Sequence, residues 1–354
     1  MNHQEEQAPG WEAIDRELER LYEGQEPKVY GTLVPYALGG PDPLTGISAY
    51  RAEEPRPHWH FVTYGFSELY EKESDDPACS GYGFELTSRL VRDPIEEEPP
   101  AWALNLLQNM GRYVFRSGNV FRAGDYLDAN GPICLGADTE LTALAFVEDP
   151  ELPGIDTPNG RVDFLQMVGM TGDELEAMQA WNTRGVLKAG SEHLPSCLTD
   201  LSRPSLLEEA AVAAAIREGM AQAGSSTGFL YVDQLGWEPG RRGLFGRKPD
   251  TLSLGAKQAG IIAKILRGRI PKDRELRLVG PETRVVLEPG AAPGWEAGEE
   301  EIRIALDSRT AEELAERLVP REGTVVLPSL PKLEIRIVRT DIRDADGNVM
   351  RTIG

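Results

Sequence analysis

The chain has 354 residues, 40% hydrophobic and 27% charged, and its 58 acidic against 37 basic side chains leave a formal charge of −21. That balance excludes a disordered chain, and the length exceeds what one core usually serves, so two domains are expected. So negative a surface repels phosphate backbones and argues against direct nucleic-acid binding, while it suits a basic partner.

Residues 1–9 are polar and acidic and lack the basic and apolar regions of a leader. Trp11, Ile14, Leu18 and Leu21 recur at three- and four-residue intervals, which predicts an amphipathic first helix. Residues 29–38 read as a strand that stops at Gly39-Gly40-Pro41-Asp42-Pro43. Residues 58–66 and 82–91 are aromatic and β-branched strand candidates around the charged turn 71–76. Residues 101–115 read as a helix through Leu104, Leu107, Met110 and Val114, and 141–147 and 161–168 as central strands. Thr171 and Glu174 have the spacing of a reciprocal capping box, opening a helix with Leu175, Met178 and Trp181 on its buried face.

This mixed order predicts an α+β domain over 10–204. A helix and linker over 205–250 follow, with periodicity lost at 237–250, and then a smaller α+β domain over 251–354. In that last part a helix covers 308–318, and Leu333, Ile335 and Ile337 alternate with Glu334 and Arg336 as in a half-exposed strand. The stretch 344–348, Asp-Ala-Asp-Gly-Asn, imitates the start of a calcium loop without its twelfth-position Glu, so it reads as a hairpin turn. No window approaches the ~18 uninterrupted apolar residues of a membrane span.

Chemistry-bearing patterns are sparse. Cys79, Cys134 and Cys197 are odd in number and widely spaced, which suits a cytosolic chain better than a disulfide framework or a zinc knuckle. His58 and His60 flank Trp59 and face one side of a strand, but no third ligand stands near them in the sequence, so a packed, hydrogen-bonded role is favoured over a metal site. Gly81-Tyr82-Gly83 carries no phosphate-loop or dinucleotide fingerprint, and no nucleophile elbow is present. The expectation is a protein without enzyme activity, cofactor or metal. The alternative is a metal-dependent hydrolase using His58, His60 and a carboxylate.

The run from Arg112 to Asp125 is the most distinctive, with an apolar ridge, a Ser-Gly-Asn turn and a second aromatic ahead of Gly124-Asp125. Aromatic rings and a carboxylate on one turn suit gripping a peptide. Tyr113 and Phe121 also fit core packing behind a helix, and Asp125 fits a cap or turn.

Several blocks together resemble the suppressor of fused family. They are residues 38–44 with Tyr50-Arg51, His58-Trp59-His60 with 64–70, 81–86 and 112–125. Glu148-Asp149-Pro150, Thr157-Pro158, Phe164-Leu165-Gln166, Val168-Gly169, Glu174-Leu175 and Trp181-Asn182 continue the order, so the likeness covers about 11–205. It is fainter beyond, at 260–269, 310–318 and 327–338, and the long charged insertion of animal members is missing, as in compact prokaryotic forms. The resemblance implies two domains that close as a clamp on an extended peptide of a protein partner. Tyr113, Phe121, Asp125 and Glu148 match its peptide-facing positions, with Val147 standing where the family has a threonine. It further implies a sequestering role, and in prokaryotic relatives immunity against a toxin.

Overall fold

In the computed structural model, residues 8–34, 36–240, 242–243, 246–343 and 348–354 are described. The chain forms two compact units. The first takes the residues up to 175 together with 187–208, and the second takes 176–186 and 209–354.

The first unit begins with helix α1 (Pro9–Leu21), whose first turn carries a proline where an amide hydrogen would find no helical partner. Strands β1 (Lys28–Gly31), β2 (Gly46–Ala52), β3 (His58–Tyr64) and β4 (Cys79–Val91) follow, then helix α2 (Ala101–Ser117). Next come β5 (Tyr126–Asp128), β6 (Leu141–Glu148), β7 (Ile155–Thr157) and β8 (Gly160–Thr171), then α3 (Gly172–Ala180) and α4 (Thr183–Ala189), most of which lie in 176–186 and so in the second unit. The sheet order is β1-β2-β3-β4-β8-β6-β5, with β7 also paired to β8. Only β4 and β8 run parallel; the other pairs are antiparallel.

Every residue of β3 is buried because both faces of the sheet are covered. Trp59 and Phe61 join the cluster that includes Leu107, Met110 and Val114 of α2. Val62 and Tyr64 point the other way and join Ile14 and Leu18 of α1. The run expected as one strand over 29–38 is shorter: β1 pairs with β2 only as far as Gly31, and a turn of 3-10 helix occupies Tyr36–Leu38. The capping box at α3 is half realised. Glu174 Oε2 accepts from Thr171 N at 2.8 Å. The Thr171 hydroxyl instead donates to Asp173, whose Oδ1 accepts from Glu174 N at 2.9 Å.

The second unit holds α5 (Ala210–Ala223), β9 (Phe229–Tyr231), β10 (Gly236–Glu238), β11 (Arg242–Gly243), β12 (Gly246–Arg247), β13 (Asp250–Gly255) and α6 (Ala256–Arg269). After these come β14 (Leu276–Val279), β15 (Arg284–Pro289), β16 (Gly294–Ala297), β17 (Ile302–Leu306), α7 (Ser308–Arg317), β18 (Gly323–Val326), β19 (Leu333–Val338), β20 (Thr340–Arg343) and β21 (Val349–Ile353). Two sheets, β10-β13-β19-β18 and β16-β17-β15-β14-β9, share one apolar core with α6 and α7. The alternation in β19 is realised, with Leu333, Ile335 and Ile337 buried.

The stretch 237–250, read from sequence as a linker, contributes instead to this unit. Trp237 pairs with Leu252 across β10 and β13, and Gly240 N donates to Asp250 Oδ1 at 2.6 Å. The turn expected at 344–348 lies, but for Asn348, outside the described residues; β20 and β21 on either side of it pair as a hairpin. Among the described residues no helix is long and apolar enough to cross a membrane.

Candidate functional site

The segment after α2 is built by one stop signal and one stack of rings. Gly118 ends the helix in the left-handed region, φ 70°, and its N–H donates to Val114 O at 2.8 Å. The chain then turns back so that Phe121 stacks on Tyr113 of α2, centroids 5.6 Å apart, and on Phe146 of β6 at 4.0 Å. Phe121 is 7% exposed and belongs to the core cluster, whereas Tyr113 is half-buried. The Tyr113 hydroxyl accepts from Asn119 Nδ2 at 2.9 Å, which pins the turn to the helix.

Asp125 follows directly. Its backbone carbonyl accepts from Phe146 N at 3.0 Å, and its carboxylate Oδ2 accepts from Arg122 N at 2.8 Å. The residue keeps an exposed surface, yet partial burial of the carboxyl raises its pKa against the pull of the Arg122 N–H and charge. Glu148 closes β6, two residues beyond Phe146 on the same strand face, and is exposed. Phe121 and, through it, Tyr113 thus extend a ring stack from Phe146, Asp125 is bonded to the Phe146 backbone, and Glu148 lies two residues further along β6; β5, the last strand of the sheet, is only three residues long.

Beneath Glu148 lies a buried polar network that the sequence reading did not assemble. Asp149 Oδ1 accepts from Glu151 N and Leu152 N, both at 2.9 Å. Its Oδ2 accepts from the Thr87 hydroxyl at 2.6 Å and from Arg89 Nη1 at 2.7 Å, and lies 3.3 Å from His60 Nε2. Arg89 also reaches Glu151 at 2.8 Å and Gln166. On the other side of the ring, His60 Nδ1 is hydrogen-bonded to the Tyr22 hydroxyl at 2.7 Å. Burial opposes a charge on Asp149, but His60 and Arg89 hold its carboxyl far below the ordinary range. Burial and then Arg89 press His60 down to about 4, so it is neutral. The network fixes the turn that carries Glu148. The signal available in the sequence was the period-two polar series Glu85, Thr87, Arg89 inside an apolar strand.

His58 is also fully buried, its Nδ1 2.8 Å from Arg56 O, and burial lowers its pKa. Each imidazole is held by a protein group at Nδ1. Among the described residues no group of three His, Cys, Asp or Glu side chains is placed to hold a metal ion.

Comparison with known proteins agrees with this architecture. The family described as "Suppressor of fused protein (SUFU)" matches residues 40–204, which lie within the span of the blocks quoted above. The suppressor of fused homologs of Homo sapiens and Mus musculus are each 38% identical over 221 residues, covering 56% of this chain. The chain spans less than half of those relatives, 44% of each. Drosophila Suppressor of Fused superposes with a TM-score of 0.74 at 23% identity, covering 93% of this chain and 97% of the other, a likeness of fold. A chain of the Sufu–Fu complex crystal structure is 34% identical with a TM-score of 0.56, over 59% of this chain and 98% of that one. By the match of its first unit in sequence and the fold of the whole, the chain belongs to the suppressor of fused family.

Proposed function

We propose that this chain is a non-enzymatic binding protein that sequesters a protein partner by holding an extended segment of it. The observation that carries the reading is the sheet end at β5, where Asp125 and Glu148 stand beside the ring stack of Tyr113, Phe121 and Phe146. An added strand draws affinity from backbone hydrogen bonds and selectivity from side-chain pockets. The match to a chain from the Sufu–Fu complex supports a protein as the ligand. In the clamp that the resemblance implies, the second unit supplies the other jaw. The finer form of the reading is a cytosolic toxin-immunity protein, and the free cysteines Cys79, Cys134 and Cys197 suit that compartment.

The test begins with the product of the adjacent gene, co-expressed with the full chain and titrated against it. Asp125→Ala and Tyr113→Ala should each weaken binding about tenfold or more while leaving the melting profile close to wild type. Tyr113 is the better aromatic probe, because truncating Phe121 removes a core side chain. Wild-type affinity in both variants would locate the partner surface elsewhere; growth inhibition by the partner alone, relieved by this chain, would support immunity.

A further inference from the structure

A second feature of the first unit is unused by that reading. The loop 65–70 after β3 is held at many points by buried polar groups. Glu85, fully buried, accepts from Gly65 N and Ser67 N at 2.9 Å, from the Thr63 hydroxyl at 2.7 Å and from the Ser67 hydroxyl at 2.6 Å. Glu68 N donates to Ser80 Oγ at 2.9 Å, Tyr82 N to Phe66 O at 2.9 Å, and Gly10 N to Leu69 O at 3.0 Å. Gly81, φ 56°, allows a close approach, since a Cβ there would stand 2.7 Å from Phe66 O.

This bracing frames a cavity of about 490 Å³. The residues lining it include Phe66, itself buried, with Tyr70, Tyr82 and Phe115, and also Glu68, Glu71 and Glu73. No lysine or arginine lines it. The neighbouring Lys72 is turned into the loop, where it donates to Glu68, Ser74 Oγ and Cys79 O. Phe115 and Tyr82 hold each other, meeting edge-on at 5.1 Å, and Phe115 also meets Tyr36 at 5.5 Å. Tyr70 remains 43% exposed at the mouth, and Glu71 and Glu73 are exposed beside it. Glu68, although burial opposes its charge, is kept anionic by Lys72 and the Ser74 and Glu73 amides, down to about 2.

We propose that this cavity receives an arginine side chain from a basic segment of a protein partner. Aromatic faces attract a cation, and a planar guanidinium can lie on a ring while its N–H groups reach carboxylates on the rim. Lys72 engages Glu68, so the exposed carboxylates of Glu71 and Glu73 supply the charge for the ligand, and the braced loop supplies the shape in advance. None of Tyr113, Phe121, Asp125 or Glu148 lines the cavity, so this site stands or falls apart from the sheet end at β5.

The test uses the full chain and a fluorescein-labelled peptide of glycine and serine with two arginines, followed by anisotropy at low ionic strength. Matched peptides carry citrulline or lysine in place of arginine. The arginine peptide should bind about tenfold or more tightly than the citrulline peptide, and more tightly than the lysine one. The paired substitution Glu71→Gln with Glu73→Gln should weaken it about tenfold, and Tyr70→Ala several-fold. Glu299→Gln with Glu300→Gln, exposed in the second unit, changes net charge equally and should leave binding intact. Equal losses in the two paired variants would reduce the effect to general attraction by the acidic surface and overturn the proposal. Wild-type binding by Glu71→Gln with Glu73→Gln, no binding by the unaltered chain, or equal affinity for lysine would overturn it as well.

Discussion

Replacing His60 by glutamine should flatten the acid dependence of stability in the first unit. His60 is fully buried, and its pKa falls from 6.5 to about 4 through burial and the charge of Arg89. An unfolded chain therefore takes up a proton below about pH 6.5 that the folded chain refuses until about pH 4, so unfolding gains ground as pH falls through that window. Between pH 7 and pH 5 this linkage removes about 2 kcal/mol of stability. Asp149 adds its own loss only in more acid solution, because its folded pKa lies below the unfolded value of 3.8. Glu85 acts in the opposite sense. Burial raises its carboxyl, so its contribution is largest in acid and is withdrawn as pH rises past the unfolded value of 4.5. Its effect is common to both proteins and cancels in the comparison. Urea unfolding at pH 7 and pH 5, followed by tryptophan fluorescence and circular dichroism, gives the difference directly. His60→Gln should begin less stable, since it disturbs the bonds to Tyr22 and Asp149, and should lose about 2 kcal/mol less than wild type between the two pH values. Equal losses in the two proteins would refute the assignment of a neutral, proton-refusing imidazole.

Two further outcomes test local arguments. Glu85→Ala leaves the buried donors of Thr63, Gly65 and Ser67 without their acceptor and should cost several kcal/mol, at about 1–3 kcal/mol for each group left unsatisfied, read as a lower urea midpoint. A midpoint within error of wild type would show that water replaces the carboxylate. Asp307 caps α7 by accepting from Thr310 N at 2.7 Å, so Asp307→Ala should lower the urea midpoint of the second unit, and Asp307→Asn much less, by the same titration.

The sequence disclosed elements whose periodicity is local. The stripe of α1 and the alternation of β19 depend on spacing alone and are present as read. It disclosed less where a residue's role depends on distant partners. Asp149 looked like one carboxylate among many, and only folding brings Thr87, Arg89 and His60 around it. The spacing of Thr171 and Glu174 fits a capping box, but Asp173, one residue closer, takes the Thr171 hydroxyl. The glycines and basic residues of 237–250 look irregular along the chain, while Trp237 finds an edge to pair with at Leu252. For the residues expected to face a peptide, the resemblance supplied the positions and the structure supplied their surroundings. Phe121 proved to be mostly interior, and Tyr113, Asp125 and Glu148 keep the solvent-facing surface.

The first unit is left at residue 175 and re-entered at 187, and this has a consequence for dissecting the protein. The returning stretch is part of its fabric: Thr199 N donates to Arg89 O at 2.8 Å, and Val91 N donates to Thr199 O at 2.9 Å, beside the Arg89 that holds Asp149. A fragment stopped at 175 would strip both bonds from β4 and withdraw Ser196 O and Cys197 O from the Gln166 amide. One cut after 208 would keep that fabric whole, but would leave 176–186, which belong to the other unit, stranded on the wrong piece. No single scissile bond therefore yields two intact halves. During synthesis, the bonds of Thr199 to β4 cannot form until a stretch assigned to the second unit has already left the ribosome.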